Sequence, residues 1–176
     1  MMRRWRLRPL PHVGTTMTCM PDAAANRPVI TPALVLRAFK RVSLPHATTI
    51  VQPGGRTLVN LETIFHTGVG PLTRTVRLLG QRVRLAIRPS SYLWRYGDGS
   101  TARTTTPGAA YPARTITHRY PHAHLTVHPS VQVTWSATYS VNGSATRPVP
   151  GTVTTTGPST TLRIAEAVPA LSGYGH

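Results

Sequence analysis

The sequence predicts a mainly β protein: one antiparallel sandwich of short strands with a single short helix near its start. Three observations carry that expectation. The first is a period of two in the apolar residues, plainest where Val131, Val133, Trp135, Ala137, Tyr139 and Val141 alternate with Gln132, Thr134, Ser136, Thr138 and Ser140. Such alternation places one set of side chains on each face of a strand. The second is the spread of 14 Gly and 17 Pro through 176 residues, the punctuation of many strands joined by turns. The third is the low share of charged residues, 14%, which leaves too few ion pairs for long surface helices, while Thr and Val are plentiful. A chain of this length buries one good core, with an extension.

Residues 1–28 read as a disordered basic leader. Met1-Met2-Arg3-Arg4-Trp5-Arg6-Leu7-Arg8 has the character of a signal n-region, but Pro9, Pro11 and His12 interrupt any apolar segment after it, so the leader as written is not expected to direct export. A cytosolic protein and a misassigned start with a signal upstream are the two explanations. Cys19, the single cysteine, excludes an internal disulfide framework and reads as an unpaired thiol in this leader. Residues 29–79 read as a helix and strands packed on the sandwich. Thr31 supplies an N-cap and Pro32 suits the first helical position, with Lys40 and Arg41 at the negative end of the helix dipole. Either Leu34 with Ala38 or Val35 with Phe39 forms the buried face. Strands follow at Thr49–Val51 and Leu58–Phe65, and Gly80-Gln81 joins Thr73–Leu79 to Val83–Arg88 as a hairpin.

After Pro89-Ser90-Ser91 an aromatic strand carries Tyr92, Trp94 and Tyr96 into a Gly97-Asp98-Gly99 turn. Residues 101–114 read as loop. Asn142-Gly143 is a strong hairpin signal after the long strand, with a return arm through Val149, Gly151 and Val153. Leu162 and Ile164 suggest a last edge strand, and 157–176 reads as that strand and a frayed tail. The expected core is Trp94, Trp135, Tyr139, Leu85 and Ile87.

The stretch Leu93-Trp94-Arg95-Tyr96-Gly97-Asp98-Gly99-Ser100, followed by Thr117-His118-Arg119-Tyr120, resembles the polycystic kidney disease (PKD) domain, whose hallmark runs roughly W-x-F-G-D-G and then H-x-Y. The resemblance spans about residues 80–156. It implies an immunoglobulin-like sandwich in which Trp94 and Tyr96 are core, Gly97, Asp98 and Gly99 form the turn with Asp98 as its brace, and His118 and Tyr120 are the packing pair of a later strand. Arg95 stands where the family has Asp, Tyr96 where it has Phe, and the segment His122–Pro129 displaces the pattern expected after H-x-Y. The wider pattern is similar to PKD-containing proteins of GC-rich actinobacteria, which implies a place outside the cytoplasm, in the envelope or the medium.

The formal net charge is +16, and nineteen of the twenty basic residues are Arg, Lys40 being the exception. An Arg excess beside abundant Ala, Pro, Gly, Val and Thr is also the residue usage of GC-rich codons. Whatever its origin, such a field attracts anionic polymers, nucleic acid and anionic lipid, and salt weakens it. Its most ordered expression is the row Arg82, Arg84 and Arg88 opposite Val83, Leu85 and Ile87, a candidate polyanion-binding face; a merely solvated sheet face is the plainer reading.

Catalytic chemistry finds little footing. Asp98 lacks a second acid, since Asp22, Glu62 and Glu166 are the only others. His118, His122, His124 and His128 lie close in sequence, yet no Cys or acid joins them at ligand spacing, and they read as surface histidines with no metal. There is no G-x-S-x-G elbow, no Ser in a recognisable His and Asp arrangement, and no phosphate-binding glycine loop. No apolar run reaches the roughly 18 residues of a membrane span. The expectation is a non-catalytic module without cofactor that binds or spaces proteins or polysaccharides. The alternative is a cytosolic basic protein that holds nucleic acid non-specifically, although no recognised nucleic-acid motif is present.

Overall fold

The computed structural model describes residues 28–166; the leader with Cys19 and the tail beyond Glu166 lie outside the described residues. Within them the chain is mainly β, with one helix and three sheets. Helix α1 (Pro32–Arg41) begins where Thr31 Oγ1 accepts the Leu34 N–H at 3.3 Å, and its buried pair is Val35 and Phe39. Strands β1 (Ile50–Gln52), β2 (Arg56–Leu58), β3 (Thr63–His66) and β4 (Leu72–Leu78) follow. Then come β5 (Gln81–Arg95), β6 (Thr101–Thr104), β7 (Thr117–His118), β8 (Leu125–Val127) and β9 (Ser130–Val141). Short strands β10 (Arg147–Pro148), β11 (Val153–Thr156) and β12 (Leu162–Ala165) close the chain.

The largest sheet is built on β5 and β9, antiparallel along almost their whole lengths. On the free side of β5 lie β4 and β6; on the free side of β9 lie β10 and β11. Two three-stranded sheets, β1-β3-β7 and β2-β12-β8, complete the architecture. All strand pairs are antiparallel except β2 with β12, which is parallel. The five expected core residues are all buried, Trp135 and Leu85 completely. Phe65 of β3 meets the inner face of β5 edge-on, its ring 5.0 Å from Tyr96 and 6.4 Å from Trp94.

One irregularity explains a puzzle in the sequence. Val83, Leu85 and Ile87 are odd-numbered, whereas Tyr92, Trp94 and Tyr96 are even, yet all six face inward. A register shift between Pro89 and Ser91 adds one residue against β9, and that single step switches the parity. Proline suits the position because it has no ladder N–H to lose. The hydroxyl of Ser90 donates to the Thr134 carbonyl at 3.0 Å. Two strands expected from the sequence are therefore one strand of 15 residues.

Other expectations are corrected. The segment 58–65 is not one strand, because Asn60 takes a left-handed φ of 59° and sends β2 and β3 to different sheets; Asn tolerates that conformation. The β4–β5 turn is Leu79-Gly80, with φ of 49° and 74°, one residue earlier than expected. Residues 101–114 are not all loop, since Thr101–Thr104 return along β5 as β6. The return arm after Asn142-Gly143 is split into β10 and β11, with Gly151 in neither. Finally, β12 is no edge strand: it lies between β2 and β8, with Leu162 and Ile164 wholly buried.

Candidate functional site

The chain leaves β5 at Tyr96, turns through Gly97-Asp98-Gly99 and re-enters as β6, with the Tyr96 N–H donating to the Ser100 carbonyl at 3.1 Å. Gly97 and Gly99 have φ of 88° and 93°, which side chains rarely adopt. Gly97 is needed for space as well, since a Cβ there would stand 2.7 Å from the His128 backbone nitrogen.

Asp98 is held from two sides. Its Oδ1 accepts both the N–H (3.0 Å) and the hydroxyl of Ser100, and its Oδ2 meets His118 Nε2 at 2.7 Å. The side chains of His118 and Asp98 are 18% and 15% exposed, so water screens this pair only in part. The His118 ring stacks on Tyr96 with centroids 4.1 Å apart, and meets Tyr120 edge-on at 4.7 Å. The Tyr120 hydroxyl donates to the Tyr96 carbonyl at 2.9 Å. Tyr96, Asp98, Ser100, His118 and Tyr120 thus meet around one turn, while Trp94 packs in the core against Phe65 and Tyr92. Burial alone would raise the Asp98 pKa, but the hydrogen bonds from Ser100 and His118 outweigh it and hold the carboxyl below its usual range. Burial also raises the Tyr96 and Tyr120 hydroxyls.

Ser100 escaped the sequence reading, which found no Ser near a His and an Asp. The structure brings all three together, with Ser100 Oγ 3.3 Å from His118 Nε2. The arrangement is nonetheless wrong for an activated serine. A general base must present a free nitrogen to the hydroxyl while its other nitrogen donates to the acid. Here one nitrogen faces both partners: Nε2 is the atom against Asp98, and the serine hydroxyl already donates to Asp98. The trio braces a turn.

That bracing has a pH signature. A carboxyl whose folded pKa lies below its unfolded value stabilises the fold fully above the unfolded value, about 3.9, and the contribution fades as pH falls through the folded one. Asp98→Asn is expected to cost about 1.5–3 kcal/mol at neutral pH, the scale for hydrogen bonds to a charged group. It should also flatten the loss of stability below about pH 4. Urea titrations from pH 7 to pH 2.5 measure both. Glu62, lowered by its hydrogen bond and attraction to Arg119, acts in the same window and leaves a remainder.

The other histidines are dispersed. His124 lies 3.3 Å from Glu166, His122 lines a cleft with Asp98, Pro121 and Leu125, and among the described residues no three His, Cys, Asp or Glu side chains gather as a metal site would require.

The second feature is the outer face of the large sheet. Arg82, Arg84 and Arg88 project from it as expected, all exposed. Three arginines that the sequence did not single out join them. Arg77 stands directly opposite Arg82, and past the parity switch Arg95 and Arg103 lie on the same face. The remaining positions are mostly hydroxyl or amide side chains, among them Thr73, Thr75, Gln132, Thr134, Ser136, Thr138 and Ser140. Of the described acids, Glu62 pairs with Arg114 and Arg119, Asp98 with His118, and Glu166 with His124, so no carboxylate among the described residues answers this row. Arg95 lies in the alternating aromatic strand, but only the bulge reveals which face it occupies, and Arg103 lies in the segment that reads as loop.

Compared with known proteins, the chain matches no family model, no curated protein and no solved structure. No helix among the described residues is long and apolar enough to cross a membrane.

Proposed function

We propose that this protein is a non-catalytic, immunoglobulin-like β-sandwich of the PKD type that works in the cell envelope or the medium and binds acidic polysaccharide on its outer sheet face. The observation that carries the reading is that face: six arginines among Ser, Thr and Gln side chains, with no described acid to neutralise them. The clasped turn supports the PKD assignment, because Tyr96, Asp98, His118 and Tyr120 brace one another and Trp94 is buried in the core, as the family pattern implies. It also supports a non-catalytic role, since the polar groups of Asp98 and Ser100 are spent on the turn. Guanidinium forks match sulfate and carboxylate groups, and hydroxyl rows match sugar hydroxyls.

Nucleic acid is the competing polyanion. Single strands are usually held by stacking bases on exposed aromatic rings, and the aromatics of this sheet, Tyr92, Trp94, Tyr96, Trp135 and Tyr139, all point into the core. The test is binding of the whole chain to a sulfated or uronate polysaccharide, its neutral parent polymer and duplex DNA, each at about 0.05 M and 0.3 M salt. Retention on the acidic polysaccharide at the higher salt is the expected result. Equal loss from every polymer would leave only the general field, and tighter binding to DNA would favour the nucleic-acid reading.

A further inference from the structure

The basic face is not uniform. At Ala86 the arginine row is interrupted by the smallest outward side chain of the strand, and a shallow hollow of about 430 Å³ opens there. Thr73 and Thr138 are its lateral neighbours, directly opposite Ala86 on β4 and β9, and Arg88 lines one end. Arg84, two residues from Ala86 on the same face and about 7 Å along the strand, stands outside this lining. The hollow therefore has apolar lining from Pro71, Leu72 and Ala86, a threonine on each side and one cation, Arg88.

We infer that this hollow is the anchoring subsite of the face, taking one sulfate or carboxylate group of an acidic polysaccharide together with the sugar that bears it. The inference rests on the acidic-polysaccharide reading above. Three features point to a seat for an anion. Arg88 lines the hollow itself, so an anion seated over Ala86 has a guanidinium fork beside it, with Arg84 the next cation along the same face of the strand. The threonine hydroxyls donate to anionic oxygens or pair with sugar hydroxyls, and the alanine methyl admits the apolar face of a ring. Nearby, Arg77 directly opposes Arg82, an arrangement that costs free energy without an intervening anion. A polymer crossing from the hollow to that pair meets a second concentration of positive charge two to four residues further along β5.

The arrangement implies selectivity by charge spacing. Polysaccharides whose anionic groups recur at the distance from the hollow to the Arg77–Arg82 pair should outcompete polymers of equal charge density but different spacing.

The experiment compares Ala86→Leu, Arg84→Ala with Arg88→Ala, and wild type for binding to heparin fragments of defined length at about 0.3 M salt, by titration calorimetry. Ala86 is exposed at mid-strand and Leu keeps the charge, so thermal melting should show an unchanged fold. Ala86→Leu is expected to weaken binding by about tenfold while leaving its salt dependence intact, because the same cations still act. The double arginine variant should lose both affinity and part of the salt dependence. If Ala86→Leu binds as wild type while the arginine variant weakens, the hollow is not the anchor although the face is still the binding surface. If neither variant changes binding, or the wild type does not bind heparin at all, the face reading falls and the hollow falls with it. Duplex DNA in a parallel titration that proves sensitive to Ala86→Leu, where heparin is not, would assign the hollow to nucleic-acid phosphate and overturn the proposal.

Discussion

Replacing Trp135 by alanine should destabilise the fold by about 3–5 kcal/mol, the range for removing a large buried aromatic side chain. Trp135 lies in the middle of β9 and is wholly buried. Its indole N–H donates to Thr155 Oγ1 at 2.9 Å, and that hydroxyl in turn donates to the Pro45 carbonyl at 3.1 Å. One side chain thus ties the central strand to β11 and to the segment that follows the helix. Alanine would leave a cavity between them and strip the Thr155 hydroxyl of its donor. Domains of this size are stable by roughly 5–15 kcal/mol, so the loss takes a large fraction of the total and should lower the melting temperature by about 10 °C. Trp135→Phe keeps part of the packing, loses the hydrogen bond and leaves a smaller cavity, and should cost less than Trp135→Ala. Ser136→Ala, one residue along on the solvent-facing side, should change stability by no more than about 0.5 kcal/mol. Chemical denaturation of the four proteins decides the matter: a Trp135→Ala loss under about 1 kcal/mol would mean that the core is not organised around β9.

The reach of the sequence and its limit both follow from how far a signal acts along the chain. The inward faces of β5 and β9 were legible because alternation is local: each residue's side follows from its neighbour's. Thr31 and Pro32 announced the helix start for the same reason, and the structure then chose Val35 and Phe39 as its buried pair. What escaped depends on pairing between distant segments. Nothing near Leu162 or Ile164 tells whether one strand or two will flank them, so a central strand read as an edge. Likewise Pro89-Ser90-Ser91 reads as a break until β9 is laid beside it, when the break proves to be a bulge. That one bulge also hid Arg95, whose membership of the basic face depends on the parity it sets, while Arg103 was hidden because its segment reads as loop until it is laid beside β5. At the turn, Trp94, Tyr96, Asp98, His118 and Tyr120 were visible as a pattern. Ser100 was not, because its part comes only from the distance between its hydroxyl and two side chains that the turn brings round.

Gly157→Ala should be the most damaging of the small substitutions, costing about 3 kcal/mol or more although it adds a single methyl group. The position carries no unusual backbone angle, so propensity gives no warning. The obstacle is space. A Cβ at Gly157 would lie 1.7 Å from the Ala47 carbonyl oxygen and 2.8 Å from its carbon, and both are backbone atoms that no rotamer change can move aside. Gly157 also donates its N–H to the Val131 carbonyl at 2.9 Å, which fixes it at the start of β9. To admit the methyl, either the segment carrying Ala47, itself fully buried, or the hydrogen bond to β9 must give way. The same neighbourhood holds the Thr160 hydroxyl against the Thr49 carbonyl at 2.8 Å, so a shift would spread toward β1. Gly68 is the fitting comparison, for nothing lies within 4 Å of a Cβ there and its φ is ordinary. Gly68→Ala should be neutral or stabilising by a few tenths of a kcal/mol through the unfolded chain. A Gly157→Ala protein as stable as its Gly68→Ala counterpart would show that the packing of the 47–49 segment against β9 is looser than the close approach at Gly157 requires, and with it the junction that joins the helix to the large sheet.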